Sequence, residues 1–540
     1  MAEAEKRAFG RNLADFLDLN EAEQKLLDSC FRGEVCSLGK ERPETPTPQN
    51  TIRAGFLRFL VLGGDAANPV HEHGVLLQGA WIKAPLDLRG ATSAGDVYLT
   101  RCWFDEPPTL YDACIKGTLS LEGSRVKELA ADRLSSEGDV FLRNGFKAEG
   151  NVRLLGAKIG GSLECDNASF TTGKGDSGDA LNADRIEVNG GVFLRNGFKA
   201  EGDVSLLGAK IGGNLSCIKA TICGSGAGLS LEGMAVAGKF FFRQNSPAIG
   251  NVLLSGARVG TLVDDEASWG EGLDLHNFTY DAISATSPSD GATRRAWLDK
   301  QQPELSGKDG EGKFFTPQPW LRLKKVLKEA GHNQQARQIG IALEERRRHC
   351  GKVGKDETLV RPWRDMHSGF VWVLHWLFGA FAGYGYRPFK LLYWSIGVWL
   401  LCATFYDIAA YRAAFAPSSA IILNDSKLLA ACSPAPPDAP PNPRHNWYLC
   451  PALPSEYTGF HPLMYSLNVL LPVVDLQQEQ AWGPITPTPS KVWWPNAYAL
   501  FESWGGWAQL FIWGETLYGW MAGAMLIAVV TGLTRKQEEE

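Results

Sequence analysis

A short pattern of apolar and polar positions recurs along the first half of this chain. From about Gly74 onward, an apolar residue, a variable residue and a second apolar residue precede a turn that contains glycine. Alternate side chains of a β-strand point to the same side, so each apolar pair predicts a short strand with one buried face. Glycine permits the positive φ angle of a tight turn. The pattern occurs at Leu86–Leu88, Val97–Leu99, Leu119–Leu121, Val140–Leu142, Val152–Leu154, Leu163–Cys165, Val192–Leu194, Val204–Leu206, Leu215–Cys217, Leu229–Leu231, Phe240–Phe242, Val252–Leu254, Leu262–Asp264 and Leu273–Leu275.

One long stretch of this pattern occurs twice. Residues 138–150 return almost unchanged as residues 190–202, and both copies continue into Leu-Leu-Gly-Ala-Lys-Ile-Gly-Gly. Val140 matches Val192, which gives an offset of 192 − 140 = 52 residues. Self-similarity at a fixed offset is typical of repeat proteins, in which each unit buries its apolar face on the next. We therefore predict a mainly β fold, with a right-handed parallel β-helix over residues 71–280. Leucine-rich repeats are the alternative, but the fixed Asn or Cys and the helical return segment of that class are missing.

The two copies also repeat their charged side chains. Arg143 and Lys147 of the first copy recur at Arg195 and Lys199 of the second. This predicts a repeated charged ridge on the outside of the β-helix, where a protein partner binds. Recent duplication gives the same likeness without any ligand, so both explanations stay open.

The segment before the repeats has helical signals. Asn20 and Glu23 have the spacing of a capping box, which begins a helix. Residues Ile52–Val61 place apolar side chains at helical spacing. We predict a helical cap over residues 1–70, because the first coil of a solenoid otherwise exposes an apolar face and an unpaired strand edge.

The segment after the repeats changes character twice. Residues 281–315 are rich in Ser, Asp, Gly and Lys, which predicts a flexible linker. Residues 316–352 carry apolar residues at helical spacing on both sides of Gly331. This predicts a helical hairpin.

Residues 353–540 have the features of a membrane module, and most of the tryptophans lie there. Residues 391–410 and 514–533 are nearly uncharged apolar runs of the length that crosses a bilayer. The loop between them, residues 411–513, has few Lys or Arg for its length. The positive-inside rule therefore predicts that the protein lies in a bacterial inner (plasma) membrane with both termini on the cytoplasmic side. The N-terminus also lacks the apolar core of a signal peptide. The basic residues expected at the inner surface, where they also bind anionic lipid, are Arg346, Arg347, Arg348, Arg387, Lys390, Arg535 and Lys536.

Two further apolar segments are too short to count as spans. Residues 369–383 predict an amphipathic helix that lies in the inner interface. Residues 462–476 fall in the outer loop, where a channel keeps its pore helix. A potassium-type filter needs a run similar to Thr-Val-Gly-Tyr-Gly, and nothing of that kind follows Leu476. A pore helix and a plain packing or interfacial helix both remain as interpretations of this segment.

The membrane module contains two acidic residues and two cysteines of interest. Asp407 lies in the first span and Glu515 at the edge of the second, and a carboxylate at membrane depth predicts a path for an ion or a proton. The alternative is that both side chains reach out to the outer interface. Cys432 and Cys450 both fall in the outer loop, on the oxidising side, and predict a disulfide across 450 − 432 = 18 positions.

Composition and motifs argue against several classes of function. A net charge of −6 without a basic, aromatic-lined groove gives no reason to expect nucleic acid. The eleven cysteines include no Cys-x-x-Cys pair, which argues against a zinc ribbon or a thioredoxin-like site. Nucleotide-binding, metalloprotease and serine-hydrolase motifs do not occur in a context that would give them meaning. We therefore expect no catalytic residue, no metal and no cofactor, and favour a protein that is not an enzyme.

With these residues in view, the chain resembles a family of bacterial integral membrane proteins. The likeness rests on the Gly-Ala-Lys-Ile-Gly-Gly repeats, on Leu323–Ala342, on Tyr465–Asp475 and on Thr531–Arg535. Members of that family combine a capping helix, degenerate pentapeptide-like β-helix repeats, a helical hairpin and a two-span C-terminal module. Some carry the label "membrane-associated oxidoreductase". The resemblance implies an architecture and a location, but this chain has no residues that would bind flavin, nicotinamide, haem or an iron–sulfur cluster.

Three functional hypotheses follow from the sequence. The first is a non-enzymatic membrane protein whose cytoplasmic β-helix is a binding, assembly or sensing surface, with the lipid bilayer and a protein as its partners. The second is a channel- or transporter-like protein that uses the two spans and residues 462–476, in which case copies of the chain form a homo-oligomer. The third is the membrane-associated oxidoreductase that the family label suggests.

Overall fold

The structure is a computed structural model that describes residues 12–530, apart from 17, 173–177, 225, 246–248, 302–314, 355–362, 435–444, 472 and 487–502. The chain divides into two compact units, Met1–Cys350 and Gly351–Glu540. The first is called the solenoid unit and the second the helical unit, and each is described by itself.

The solenoid unit contains a parallel β-solenoid of about nine turns, which confirms the parallel repeat fold predicted from the sequence. Short strands of successive turns pair in parallel and build four faces. Face 1 consists of Val75–Gln78, Val97–Thr100, Leu119–Ser120, Val140–Phe141, Leu163–Glu164, Val192–Phe193 and Leu215–Ser216, and Cys36–Ser37 pairs with its first strand. Face 2 consists of Thr51–Arg53, Trp81–Lys83, Trp103–Phe104, Arg125–Val126, Lys147–Ala148, Ser169–Thr171, Lys199–Glu201 and Thr221–Ile222.

The other two faces complete each turn. Face 3 consists of Leu129–Ala130, Val152–Arg153, Asp179–Asn182, Asp203–Ser205, Leu229–Ser230, Asn251–Leu253 and Gly272–Asp274. Face 4 consists of Cys114–Ile115, Ser135–Ser136, Lys158–Ile159, Glu187–Val188, Lys210–Ile211 and Thr279–Ile283. Two longer strands, Ala235–Phe242 and Arg258–Asp264, run from face 4 into face 1 and join them into one sheet.

The strand register explains the sequence duplication. Val140 pairs with Leu163, and Leu163 pairs with Val192. The two turns are therefore 163 − 140 = 23 and 192 − 163 = 29 residues long, and together they make the offset of 52. The two copies occupy alternate turns of the solenoid, with one unlike turn between them.

Apolar side chains from all four faces meet inside the solenoid. Within one turn, Val140, Val152 and Ile159 are at most 2% exposed. Aromatic rings stack along the same axis: the ring centroids of Phe146 and Phe170 lie 5.9 Å apart, and those of Phe170 and Phe198 lie 5.2 Å apart. Each turn thus buries its apolar edge on its neighbours, as the strand pattern predicts.

Two helices before the repeats pack on the apolar core of the solenoid unit. Helix α1, Glu21–Arg32, begins at Asn20, whose side chain accepts the backbone N–H of Glu23 at 2.8 Å. Helix α2, Ala54–Val61, buries most of its length, and a 3₁₀ turn, Leu13–Asp15, precedes both. The buried Glu23 carboxylate also holds the Arg53 guanidinium at 2.7 Å, which fixes α1 beside the strand that leads into α2.

The prediction of a flexible linker over residues 281–315 is wrong for its first half. The strand Thr279–Ile283 adds a further rung, and helix α3, Gly291–Asp299, follows from the N-cap Asp290. Two residues of this polar segment hold α3 on the solenoid, because Trp297 is 3% exposed and Arg294 is fully buried. Residues 302–314 lie outside the described part of the chain.

Three further helices continue the chain up to and beyond the end of the solenoid unit. Helix α4, Gln318–Glu329, packs on the last strand of face 4, and helix α5, Asn333–His349, packs on α3 and α4. Helix α6, Trp363–Ala382, belongs to the helical unit and is followed by a 3₁₀ turn at Gly383–Gly385.

The helical unit contains two helices that are long and apolar enough to cross a membrane. These are α7, Pro388–Tyr411, and a later helix, Trp504–Val530. Four short helices lie between them: α8 (Ala420–Leu423), α9 (Ser426–Cys432), α10 (Pro462–Leu470) and α11 (Gln478–Ala481). The helix Trp504–Val530 is therefore labelled α12. The strands Phe415–Pro417 and Trp482–Pro484 pair antiparallel. Helix α12 begins ten positions before the predicted start at residue 514, because Trp504 and Gly505 continue its apolar run (514 − 504 = 10).

Candidate functional site

The two arginines of the predicted charged ridge form ion pairs with acidic residues of the solenoid itself. The Arg143 guanidinium forms ion pairs with Glu122 at 3.1 Å and with Glu164, and it stacks on the Phe141 ring at 4.0 Å. Arg195 repeats the arrangement, with Asp166 at 2.9 Å. Acids on neighbouring turns therefore neutralise these two arginines, which stabilise the stack of turns.

Lys147 and Lys199 lie on face 2 and are exposed. They are not adjacent, because the strand Ser169–Thr171 pairs with both of their strands and separates them. The Lys147 ammonium also lies 4.0 Å from the Glu149 carboxylate. The four ridge residues thus do not form a continuous basic surface.

Face 4 instead carries a groove of about 890 Å³ along the last turns of the solenoid. Its lining includes Asn189 and Gly212, which follow their strands, and Ala237 and Gly260, which lie within the two longer strands; these four residues are called the floor of the groove. At Gly260 a Cβ atom would lie 2.6 Å from the Ala237 carbonyl oxygen, so close packing of the turns keeps this floor free of larger residues. The sequence concealed the groove, because its floor positions are spread over four turns.

Charged side chains form the rim of the groove. The Lys210 ammonium donates to the Glu187 carboxylate at 2.8 Å, and this hydrogen bond lowers the pKa of Glu187. Arg258 is exposed on the same rim. At one end, Arg322 of α4 donates to the Tyr280 carbonyl oxygen at 2.6 Å and to Asp281 at 3.1 Å. Three cations and two acids therefore line the same groove.

The helical unit contains a second candidate site, at a junction of three helices. Helix α10 packs against both α7 and α12. The Trp399 indole N–H donates to the Leu463 carbonyl oxygen at 2.9 Å, which holds the start of α10 beside the middle of α7. The short apolar helix α10 thus contacts both candidate spans.

Glu515 lies inside this junction and is 2% exposed. The Tyr406 hydroxyl of α7 donates to Glu515 Oε2 at 2.8 Å, and the Ser466 hydroxyl of α10 contacts Oε1. Glu515 is 515 − 504 = 11 positions into α12, which is about 16 Å along the axis at ~1.5 Å per residue. Helix α12 therefore begins before the predicted span, and the Glu515 carboxyl is enclosed among helices rather than exposed.

Asp407 does not share this environment. It is half-buried on α7 and faces the phenol of Tyr448, whose pKa is raised by burial and by the Asp407 charge. Among the described residues, the contacts of Glu515 come from Tyr406, Ser466 and Cys402. The structure thus does not bring together the two acids predicted to form one path.

The two loop cysteines are joined. Cys432 and Cys450 form a disulfide, with their Cα atoms 5.5 Å apart. It ties the end of α9 to the turn around Trp447, and both sulfurs lie in the apolar core of the helical unit.

Five of the seven basic residues expected at the inner membrane surface lie in the described part of the chain. Arg346 lies 3.9 Å from Asp299, and Arg347 lies 2.7 Å from Glu344. Arg348 lies in the last turn of the same helix α5, while Arg387 and Lys390 lie at the start of α7. Arg535 and Lys536 lie outside the described residues.

Glu515 is recognisable in the sequence, but its hydrogen-bond partners are not. Ser466 and Tyr406 are 49 and 109 positions away from Glu515 in the chain. The available signal was a hydroxyl in each of two apolar helices, since a polar group in such a segment needs a partner. No periodicity shows which partner that is.

Comparisons with known proteins add no constraint on either site. The chain matches no protein-family model, no curated protein and no solved structure. Both sites are therefore interpreted from their own geometry.

Proposed function

We propose that this chain is a non-enzymatic integral membrane protein that uses face 4 of its solenoid to bind or assemble a protein partner at the bacterial inner membrane. The groove of about 890 Å³ on that face is the observation that carries the proposal. Its floor of small residues follows the stacked turns, so an extended segment of a partner fits along it. The charged rim supplies orientation, because charge complementarity acts mainly on specificity and the rate of encounter.

The two apolar helices support the membrane anchor. Helices α7 and α12 each have the length and hydropathy of a span, and large apolar side chains such as Leu401, Leu517 and Ile527 are exposed on them. In water this exposure would be unfavourable, whereas lipid covers it. With basic residues at the start of α7, the positive-inside rule places the solenoid unit in the cytoplasm.

Site-directed photo-crosslinking tests the groove in the full-length protein in its native membranes. A photoreactive amino acid replaces Ala237 on the groove floor, and the matched control replaces the exposed Lys199 on face 2. We expect a discrete protein adduct from position 237 and none from position 199, with a severalfold lower yield when Arg258→Glu is added. An adduct from position 199 alone would assign the binding surface to the charged ridge, and equal adducts at both positions would contradict a specific groove.

The junction of three helices supports a second candidate function, a channel- or transporter-like protein. A short helix wedged between two spans, with a carboxyl at mid-helix, is the arrangement that favours it. Ion flux through liposomes that contain the purified chain tests this function. Flux that Glu515→Gln changes and Asp407→Asn leaves unchanged would support it, and flux no greater than that of empty liposomes would exclude it.

A further inference from the structure

The hydrogen bonds around Glu515 indicate whether its carboxyl is ionised, because each hydroxyl beside it has only one hydrogen to donate. The Tyr406 hydroxyl donates to Oε2. Ser466 Oγ lies within hydrogen-bonding distance of Glu515 Oε1 and also of the Trp399 carbonyl oxygen, the latter at 3.0 Å. A serine hydroxyl carries one hydrogen, so it cannot fully donate to both oxygens.

An ionised Glu515 leaves this network short of a hydrogen. Both neighbours of Ser466 Oγ would then be acceptors, and one of the two oxygen–oxygen contacts would be unfavourable. A protonated Glu515 completes the network. Its O–H donates to Ser466 Oγ, the Ser466 O–H donates to the Trp399 carbonyl oxygen, and Tyr406 still donates to Oε2.

The burial of Glu515 favours the neutral form as well. The Cys402 thiol and the Tyr406 hydroxyl hydrogen-bond to it from α7, and Tyr465 lies beside it on α10. The strand Trp482–Pro484, which also packs on α12, has no titratable side chain. Within the described ranges, no Lys, Arg or His acts on the Glu515 charge. Burying a carboxylate without a cation is costly, whereas a hydrogen-bonded carboxylic acid avoids most of that cost.

We propose that Glu515 is a proton-binding site, in which one bound proton holds α10 between α7 and α12. The proton completes a chain of hydrogen bonds from α12 through Ser466 to the backbone of α7. When it leaves, Ser466 turns its hydrogen toward the carboxylate and its bond to the Trp399 carbonyl oxygen is lost, which weakens the attachment of α10 to α7 and leaves the Trp399–Leu463 hydrogen bond in place. This site requires neither the groove nor ion flux, and it goes beyond both functions proposed above.

Infrared spectroscopy of the full-length protein in lipid nanodiscs tests the protonation state. Glu515→Gln keeps the geometry, because its amide donates to Ser466 and accepts from Tyr406, but it removes the acid. We expect the wild-type spectrum at pH 7 to contain a carboxylic acid C=O band that is absent from Glu515→Gln and present in the control Asp407→Asn. Carboxylate bands in the wild-type minus Glu515→Gln difference spectrum, with no acid band, would overturn the proposal.

Ser466→Ala gives a test that does not depend on the folding of Glu515→Gln. It removes the acceptor of the Glu515 hydrogen, so the acid band should shift to higher frequency. A band at the wild-type frequency would show that Ser466 does not accept this hydrogen and would contradict the proposed network.

Hydrogen exchange measures whether the proton holds α10. After correction for the intrinsic rate, the backbone amides of Leu463–Leu470 should lose protection in the wild type as the pH is raised. In Glu515→Gln the protection should not depend on pH. The same pH dependence in both proteins would show that the position of α10 is not coupled to this proton.

Discussion

At the scale of single residues, Arg294 shows how one side chain fixes the end of the solenoid. Its guanidinium binds both oxygens of Asp264, at 2.7 and 2.8 Å, and donates to the Pro288 carbonyl oxygen at 2.7 Å. Asp264 also accepts the Trp269 indole N–H at 2.8 Å. The Asp264 carboxylate thus accepts two hydrogen bonds from the guanidinium and one from the indole. This buried ion pair holds helix α3 on the last turns of the solenoid.

Removing one partner of this pair should destabilise the end of the solenoid. Arg294→Met leaves Asp264 buried without its cation, which costs about 3–5 kcal/mol for a buried pair. The strand Thr279–Ile283 and helix α3 should therefore lose hydrogen-exchange protection in the full-length protein, while the central turns keep theirs.

Arg295→Met is the matched control. Arg295 is 48% exposed and pairs with Glu345 at 3.1 Å on the surface. An exposed pair contributes only ~0–1 kcal/mol. Equal loss of protection in the two variants would show that the buried pair has no special role.

The sequence predicted single residues unevenly. The Asn20 capping box and the acid at Glu515 were both visible, because a local spacing or an acid in an apolar run is a strong signal. Arg294 was not, since it stands in a polar segment and its partner Asp264 lies 30 positions away. The protonation state of Glu515 depends on hydroxyls from two other helices, so no local pattern contains it.

At the scale of elements, the stacked turns are held by side chains that repeat in space. Phe170 is fully buried between the rings of Phe146 and Phe198, one from each neighbouring turn. Each ring therefore stabilises two interfaces between turns, which is how a solenoid gains stability from nearest neighbours.

Phe170→Ala should destabilise the solenoid by about 3–5 kcal/mol, because it removes a buried ring and leaves a cavity between two turns. Urea unfolding of the solenoid, monitored by far-ultraviolet circular dichroism, measures the loss. Leu207→Ala is the control, since Leu207 is 38% exposed at a corner and surface substitutions change stability by only ~0.5 kcal/mol. A loss of similar size in both variants would argue against the aromatic stack as the main contact.

The disulfide of the helical unit gives a prediction about its compartment. Mass spectrometry of protein extracted from membranes under non-reducing conditions should recover Cys432 and Cys450 in one cross-linked peptide pair. The disulfide closes a loop of 18 positions. A loop of roughly this length stabilises a fold by ~3 kcal/mol. Cys223, which is exposed on the solenoid, should be recovered as a free thiol. Recovery of Cys432 and Cys450 as free thiols would place the loop in a reducing compartment.

Elements were predictable where their pattern was periodic. The strands followed from alternation and the corner glycines, because both are written in every turn. Helix α3 was missed, since its segment is short and polar and its helix is fixed by packing on the solenoid. The start of α12 was placed too late, because glycines and tryptophans at its beginning resembled an interfacial belt more than a helix.

At the scale of the whole molecule, the two units differ in where their apolar side chains lie. The solenoid unit buries its apolar side chains inside the stack of turns, whereas α7 and α12 expose theirs. This change was visible in the sequence as the shift to long apolar runs and abundant tryptophan after residue 363. The groove of face 4 was not visible, because it arises from the stacking of turns that are far apart in the chain.

Labelling of native thiols tests the proposed membrane-anchored architecture most directly. Full-length protein is treated with a membrane-impermeant maleimide, either in intact spheroplasts or in inverted inner-membrane vesicles. We expect Cys223 of the solenoid unit to be labelled only in the inverted vesicles, and Cys432 and Cys450 to be labelled in spheroplasts only after reduction. Labelling of Cys223 in intact spheroplasts, or release of the protein from the membrane by alkaline washing, would contradict it.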